Sequence, residues 1–151
     1  MKILLATDSS EHSKAMIRQF SRRSFAPNTK LRVIYAYERA YMVYAFQMGI
    51  LNEYNAEAEK FFQKSATAAT ENAATTLRKI NPKLAVSTAV IEGSPKAVIL
   101  EEAEKFGANL IVVGSHGHSA VAGFLLGSVS QAVALHAKCS VEIVRIQKTK
   151  K

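Results

Sequence analysis

The chain has 151 residues, 48% of them hydrophobic and 21% charged, a balance that suits a globular protein and excludes a disordered one. That length fits a single domain over residues 1–151, able to bury roughly two thirds of its unfolded surface. No apolar run approaches the roughly 20 residues that cross a bilayer, and Asp8 interrupts the apolar start too early for a signal peptide, so a cytoplasmic protein with no membrane partner is expected.

The one cysteine, Cys139, allows no intramolecular disulfide and no metal cluster; it reads as a small core residue at a helix end. The formal net charge of +8 is spread out, with Lys148, Lys150 and Lys151 in the C-terminal tail and Arg18, Arg22 and Arg23 near the end of the first helix. Such a surface attracts polyphosphates and anionic surfaces without identifying one, and no readout motif makes nucleic acid the expected partner.

Lys2 to Thr7 reads as a short strand ending at Asp8-Ser9-Ser10-Glu11, where Ser9 or Ser10 can cap a helix carrying Met16, Ile17 and Phe20. That helix stops before Pro27-Asn28, and Leu31 to Tyr37 is the second strand. The segment from Glu38 to Asn55 is unusually apolar for a connection and admits three readings: an extra helical turn, a flap over a cleft, or part of a dimer contact. From about Glu53 to Ile80 a stripe of Ala58, Phe62, Ala66, Ala69, Ala73, Leu77 and Ile80 predicts one long helix, ended by Asn81-Pro82. Leu84 to Ile91 is the third strand, and Ser94-Pro95 opens a helix that Gly107 closes.

The fourth strand, Leu110-Ile-Val-Val, runs into Gly114, with Gly117 three positions on. Gly127-Ser128 then opens the last helix, expected to reach about Lys138, with Ser128 or Ser130 as its cap; Val141 to Ile146 is the final strand. Glycine suits positions of positive φ or places where backbone must approach a ligand. A glycine loop ending at a helix start is a candidate anion cradle: Gly117 and the Gly127-Ser128-Val129-Ser130 corner would offer N–H groups to phosphate, and the two serine hydroxyls would add donors. Alternating strands and helices imply a parallel sheet covered on both faces, with ligands beyond the carboxyl ends of its strands.

Gly114-x-x-Gly117, nine residues, then Gly127-Ser128 resembles the G-x-x-G-x9-G-[S/T] signature of ATP-binding universal stress proteins. Ala6-Thr7-Asp8, Glu92-Gly93-Ser94-Pro95 and Val141 to Arg145 sit where that family has its other landmarks, so the resemblance covers nearly the whole chain. It implies a three-layer α/β/α fold of the adenine nucleotide alpha hydrolase-like kind, five parallel strands in the order 3-2-1-4-5, and a crevice between the first and fourth strands. It implies ATP with Mg²⁺ as the ligand, and a homodimer through the C-terminal strand. By resemblance Val113 and Gly114 border the ribose and adenine, and Ala6, Thr7, Asp8 and Ala36 line the base and sugar pocket. Asp8 can accept from the ligand, help hold Mg²⁺ through water, or simply cap the first helix. The family often carries a basic residue near position 118, so His118 can touch a phosphate or stand as an exposed loop histidine. His12 and His136 read as surface residues, and the four histidines are too scattered for a metal site.

No Walker lysine is present, and no lysine or arginine lies between Gly114 and Gly127 to stabilise a transferring phosphoryl group. No catalytic residue is therefore assigned. A nucleotide-dependent sensor or partner-binding module is expected ahead of a nucleotide-independent dimeric protein or a slow ATPase. Two departures from the family pattern, Cys139-Ser140 in place of a proline before the last strand and Glu142 within it, leave the dimer geometry open.

Overall fold

The computed structural model describes residues 1–39, 43, 46–49, 56–117 and 126–145. Successive side chains of a strand point to opposite faces, and the buried run Ile3-Leu4-Leu5 in β1 (Lys2–Ala6) therefore feeds two cores. Ile3 and Leu5 join Leu31 and Val33 of β2 (Lys30–Tyr37) beneath α1 (Glu11–Ser21) and α2 (Ala56–Ile80), whose contributions are Met16, Ile17, Phe20, Ala73 and Leu77. Leu4 and Ile34 point the other way. There they meet Val98, Ile99 and Ala103 of α3 (Pro95–Phe106), Ile111 and Val113 of β4 (Leu110–Gly114), and Val133 of α4 (Ser128–His136). Each large side chain buried in this way contributes about 1.5–3 kcal/mol.

With β3 (Ala85–Glu92) and β5 (Ser140–Val144) the sheet has five parallel strands in the order β3-β2-β1-β4-β5, as the resemblance implied. No helix among the described residues is long and apolar enough to cross a membrane.

The local signals act largely as expected. Ser10 is the N-cap of α1, its hydroxyl accepting from the Ser13 N–H at 3.1 Å. Gly107 closes α3 at φ 67°, a left-handed conformation that costs glycine nothing. Asn81 ends α2 before Pro82, and its side-chain amide donates to the Ser21 carbonyl at 2.7 Å, tying the ends of α1 and α2 together. Ser94 stands at the N-cap of α3, but its side chain makes no capping bond.

Several boundaries are corrected. β1 stops at Ala6, because Thr7 already belongs to the turn into α1. β3 is shifted by one residue from the expected 84–91. α4 ends at His136 rather than near Lys138: Ala137 is extended at φ −65° and ψ 140°, which turns the chain into β5. β5 accordingly starts at Ser140, opposite Leu110. The described part of the long helix begins at Ala56; Glu53 and Asn55 lie outside the described residues. Most of the apolar segment 38–55 does too, although Phe46 and Met48 are described and exposed. Ile146 and the tail lysines also fall outside.

Glu142 sits on the α1 face of β5, the outermost strand. The Arg23 guanidinium grips it through two bonds of 2.6 and 2.5 Å while lying over the Phe20 ring at 5.0 Å. An acidic residue in this strand is thus accounted for by a cation from the end of α1. Cys139 is half-buried against the α3–α4 core, and burial raises its thiol pKa, in keeping with a packing role.

Candidate functional site

In the order β3-β2-β1-β4-β5 the chain winds outward in both directions from the β1–β4 pair. Connections leave β1 toward α1 on one face and β4 toward α4 on the other, so a crevice opens beyond the carboxyl ends of these two strands.

On the β1 side, the Thr7 N–H extends the ladder to the Ile34 carbonyl at 2.9 Å, and its buried hydroxyl accepts from the Ser9 N–H at 3.3 Å. Ser9 itself lies at φ 62°, a conformation unusual for a residue with a side chain, and the bonds around it hold the turn. Asp8 is the hub of that turn. Its Oδ1 accepts from the Ser10 N–H at 3.0 Å and from the Ser13 hydroxyl, while its own N–H donates to Ser13 Oγ at 3.2 Å. Asp8 therefore braces the capping residue rather than being the cap. Behind the turn, burial raises the Tyr35 phenol pKa and a bond with Ser9 lowers it; the Asp8 charge adds to the rise.

On the β4 side, the Ser115 N–H reaches the Val144 carbonyl at 2.9 Å, and the Ser115 carbonyl accepts the Gly127 N–H at 2.7 Å. The Ser130 hydroxyl donates to the Gly114 carbonyl at 2.5 Å. Together these bonds hold the first residues of α4 against the end of β4. They also change the expected donor set. The Gly127 N–H and the Ser130 hydroxyl are spent within the protein, and neither Ser128 nor Ser130 caps α4. Gly127 holds the N-cap position, at φ −69°, and has no side chain to offer. The first turn of a helix leaves its N–H groups without intrahelical acceptors, here those of Ser128, Val129 and Ser130, and among the described residues no side chain caps them. Ser128 is exposed and Val129 half-buried at this opening.

The two sides meet at Gly117. A Cβ on Gly117 would lie 2.5 Å from Asp8 Oδ2, closer than any carbon can approach that oxygen. None of Gly114, Gly117 and Gly127 has a positive φ, so left-handed backbone is not what calls for glycine in this loop; at Gly117 the reason is space. At Gly114 an added carbon would press on the His116 carbonyl at 3.3 Å, and at Gly127 it would make only an ordinary contact of 3.4 Å with the Ser115 carbonyl.

Ala6, Thr7, Asp8, Val113, Gly114, Gly117, Gly127, Ser128, Val129 and Ser130 thus lie at the ends of β1 and β4 and the start of α4, with Thr7, Val113 and Ser130 buried. Ala36 is one strand further out, half-buried on the α3–α4 face together with Ala6. His118 lies outside the described residues. Sequence reasoning did not show one neighbour of the loop: His12, read as a surface residue and half-buried here, places its ring beside that of His116 with centroids 6.1 Å apart. No spacing rule links positions 12 and 116; only the pairing of β1 with β4 brings them together. No group of three or more metal-ligating side chains occurs among the described residues.

The fold has counterparts among known proteins. The family model described as the universal stress protein family matches residues 1–145. A universal stress protein from Thermus aquaticus is 31% identical over 150 residues, covering 95% of this chain and 97% of that one. Shorter matches run higher: a relative from Staphylococcus haemolyticus is 44% identical over 63 residues, and there the chain spans only 38% of the relative's length. Among solved structures, the hypothetical protein MJ0577 superposes with a TM-score of 0.80 at 22% identity, over 98% of this chain and 97% of that one. A universal stress protein in complex with cAMP gives a TM-score of 0.66 at 25% identity over 96% of each chain. One from Archaeoglobus fulgidus in complex with dAMP gives 0.64 at 18%, over 95% of this chain and 96% of that one. A family match over almost the whole length, a relative aligned end to end and the shared strand order agree, and the chain belongs to the universal stress protein family.

Proposed function

We propose that this protein binds ATP in the β1–β4 crevice and acts as a nucleotide-dependent sensor or partner-binding module in a stress response. The observation that carries the reading is the junction of Gly117 with Asp8 beside the open first turn of α4. Backbone there is stripped of side chains up to the limit of contact, and the positive end of a helix dipole faces the gap. The cAMP complex of the relative at 25% identity supports an adenine nucleotide as the class of ligand.

In this reading the N–H groups of Ser128, Val129 and Ser130 take phosphate oxygens and Ala6, Thr7, Val113 and Gly114 line the nucleoside end, with Ala36 further along the same face and His118 at the loop. Mg²⁺ suits the donor set: hard cations take carboxylate, phosphate and water oxygens, and Asp8 is the carboxylate at hand, reaching the ion through water.

Calorimetry with ATP and Mg²⁺ is expected to show saturable binding, and a phosphate-release assay to show hydrolysis far below the roughly 1–100 s⁻¹ typical of kinases. Donors that hold the ground state as well as the transition state do not raise turnover, and no lysine or arginine in the loop adds selective stabilisation. Absence of heat or competition at millimolar ATP would overturn the binding assignment, and brisk turnover would move the protein to the enzymes.

The assembly proposed is a homodimer through β5. Among the described residues that strand is an edge of the sheet, a place where a second copy can pair, and Arg23 already neutralises Glu142 on its α1 face. Sedimentation is expected to give about twice the chain mass of 16.5 kDa. A monomer at tens of micromolar would exclude the pairing.

A further inference from the structure

We propose that His12 and His116 together contact the outer phosphates of the bound nucleotide and make the site prefer a triphosphate to a monophosphate. This rests on the ATP-binding reading above and adds to it a specificity element that neither the glycine motif nor the helix start provides. An open helix turn accommodates one phosphate group, and AMP and ATP both present one; discrimination needs donors further out.

The geometry supplies them. The His116 Cα lies 3.6 Å from where a Gly127 Cβ would stand, so His116 is packed directly against the N-cap of α4, where the phosphate chain would start. The ring leans toward α1, where His12, in that helix's first turn, meets it at 6.1 Å and a tilt of 48°. The pair therefore bridges two helix N-termini, α1 and α4, along the rim of the crevice. Ser115 Oγ lies 3.1 Å from His116 Nδ1. When the buried Ser115 hydroxyl donates there, the neutral ring carries its proton on Nε2, the nitrogen on the far side from the serine.

Both rings are half-buried, which limits the disorder that weakens contacts made by long surface cations. The charged groups around the pair, among the described residues, are Asp8 on the β1–α1 turn and the ion pair Glu11–Lys14, 2.7 Å apart on α1; the first turn of α4 carries none. A bound polyphosphate would then find two imidazole N–H donors on the rim, beyond the first turn of α4.

The test is calorimetry with ATP and with AMP on wild type, His12→Ala and His12→Gln, each checked for an unchanged thermal transition. His12→Ala is expected to weaken ATP by about tenfold, the scale of one hydrogen bond to a charged group, and AMP by about twofold or less. His12→Gln keeps an N–H donor and should lose about half as much on a logarithmic scale. Equal losses for the two ligands, or no loss in a folded variant, would overturn the assignment while leaving nucleotide binding intact. Wild type that binds neither ligand would remove the ATP-binding reading and this inference with it.

Discussion

Gly117→Val is expected to lower ATP affinity by about a hundredfold, the loss of one or two charge-assisted bonds from backbone N–H to phosphate. The first atom of the new side chain already has no room: a Cβ at this position falls 2.5 Å from Asp8 Oδ2. A carboxylate at the tip of a free side chain could swing away, but Asp8 Oδ1 accepts from both the Ser10 N–H and the Ser13 hydroxyl, and holding that oxygen restricts how far Oδ2 can move. The loop must give instead, carrying the Gly117 backbone away from α4. The two valine methyls would further occupy the space where phosphate is placed. Circular dichroism should stay native, since no core residue is touched, and calorimetry reads the loss. Gly127→Ala is the contrasting control: its added carbon meets nothing closer than 3.4 Å and its φ of −69° is open to any residue, so it should cost far less. A Gly117→Val protein that binds ATP as wild type does would remove the loop from the site.

The reason for Gly117 was only half legible in the sequence. The spacing of Gly114, Gly117 and Gly127 marks a loop that must come close to something, and alternation with helices around short apolar strands marks a parallel sheet. Both follow from local pattern, which is why the element order and a sheet covered on both faces could be read directly. What glycine answers to at position 117 is a side chain over a hundred residues away in the chain, and the same holds for the meeting of His12 with His116. Such contacts depend on which strand lies beside which, and strand order came from resemblance, not from periodicity. The roles of the serines were hidden for another reason. Ser128 and Ser130 both satisfy the composition of a helix start, but which one caps, donates to a neighbouring carbonyl or faces outward is decided by a single residue of helix register. Structure gives that choice to Gly127 at the N-cap, with Ser130 one turn in and bonded to Gly114. Glu142 likewise looked out of place in a strand until Arg23, from the end of α1, was found across from it.

The two roles open to Asp8, bracing the turn and meeting the ligand, can be separated by a double-mutant cycle with Gly117→Ala. Without nucleotide, Asp8→Ala should destabilise the fold by about 2 kcal/mol, because the Ser10 N–H and Ser13 hydroxyl lose a charged acceptor. Gly117→Ala should cost about 1–3 kcal/mol by overpacking against the Asp8 carboxylate. In the double variant that carboxylate is gone, so the alanine methyl meets no obstacle and the total should return to about that of Asp8→Ala alone. Urea unfolding at fixed pH measures all four corners, and the expected coupling is well above the roughly 0.5 kcal/mol within which independent sites add. Additive costs would mean that Gly117 and Asp8 do not press on each other. Calorimetry on the same four proteins then reads the other role. If Asp8 only braces the turn, removing the clash should restore much of the ATP affinity that Gly117→Ala loses. If its carboxylate faces the nucleotide or its Mg²⁺, the stability costs are non-additive as above but the affinity does not return, and that second pattern is the one expected.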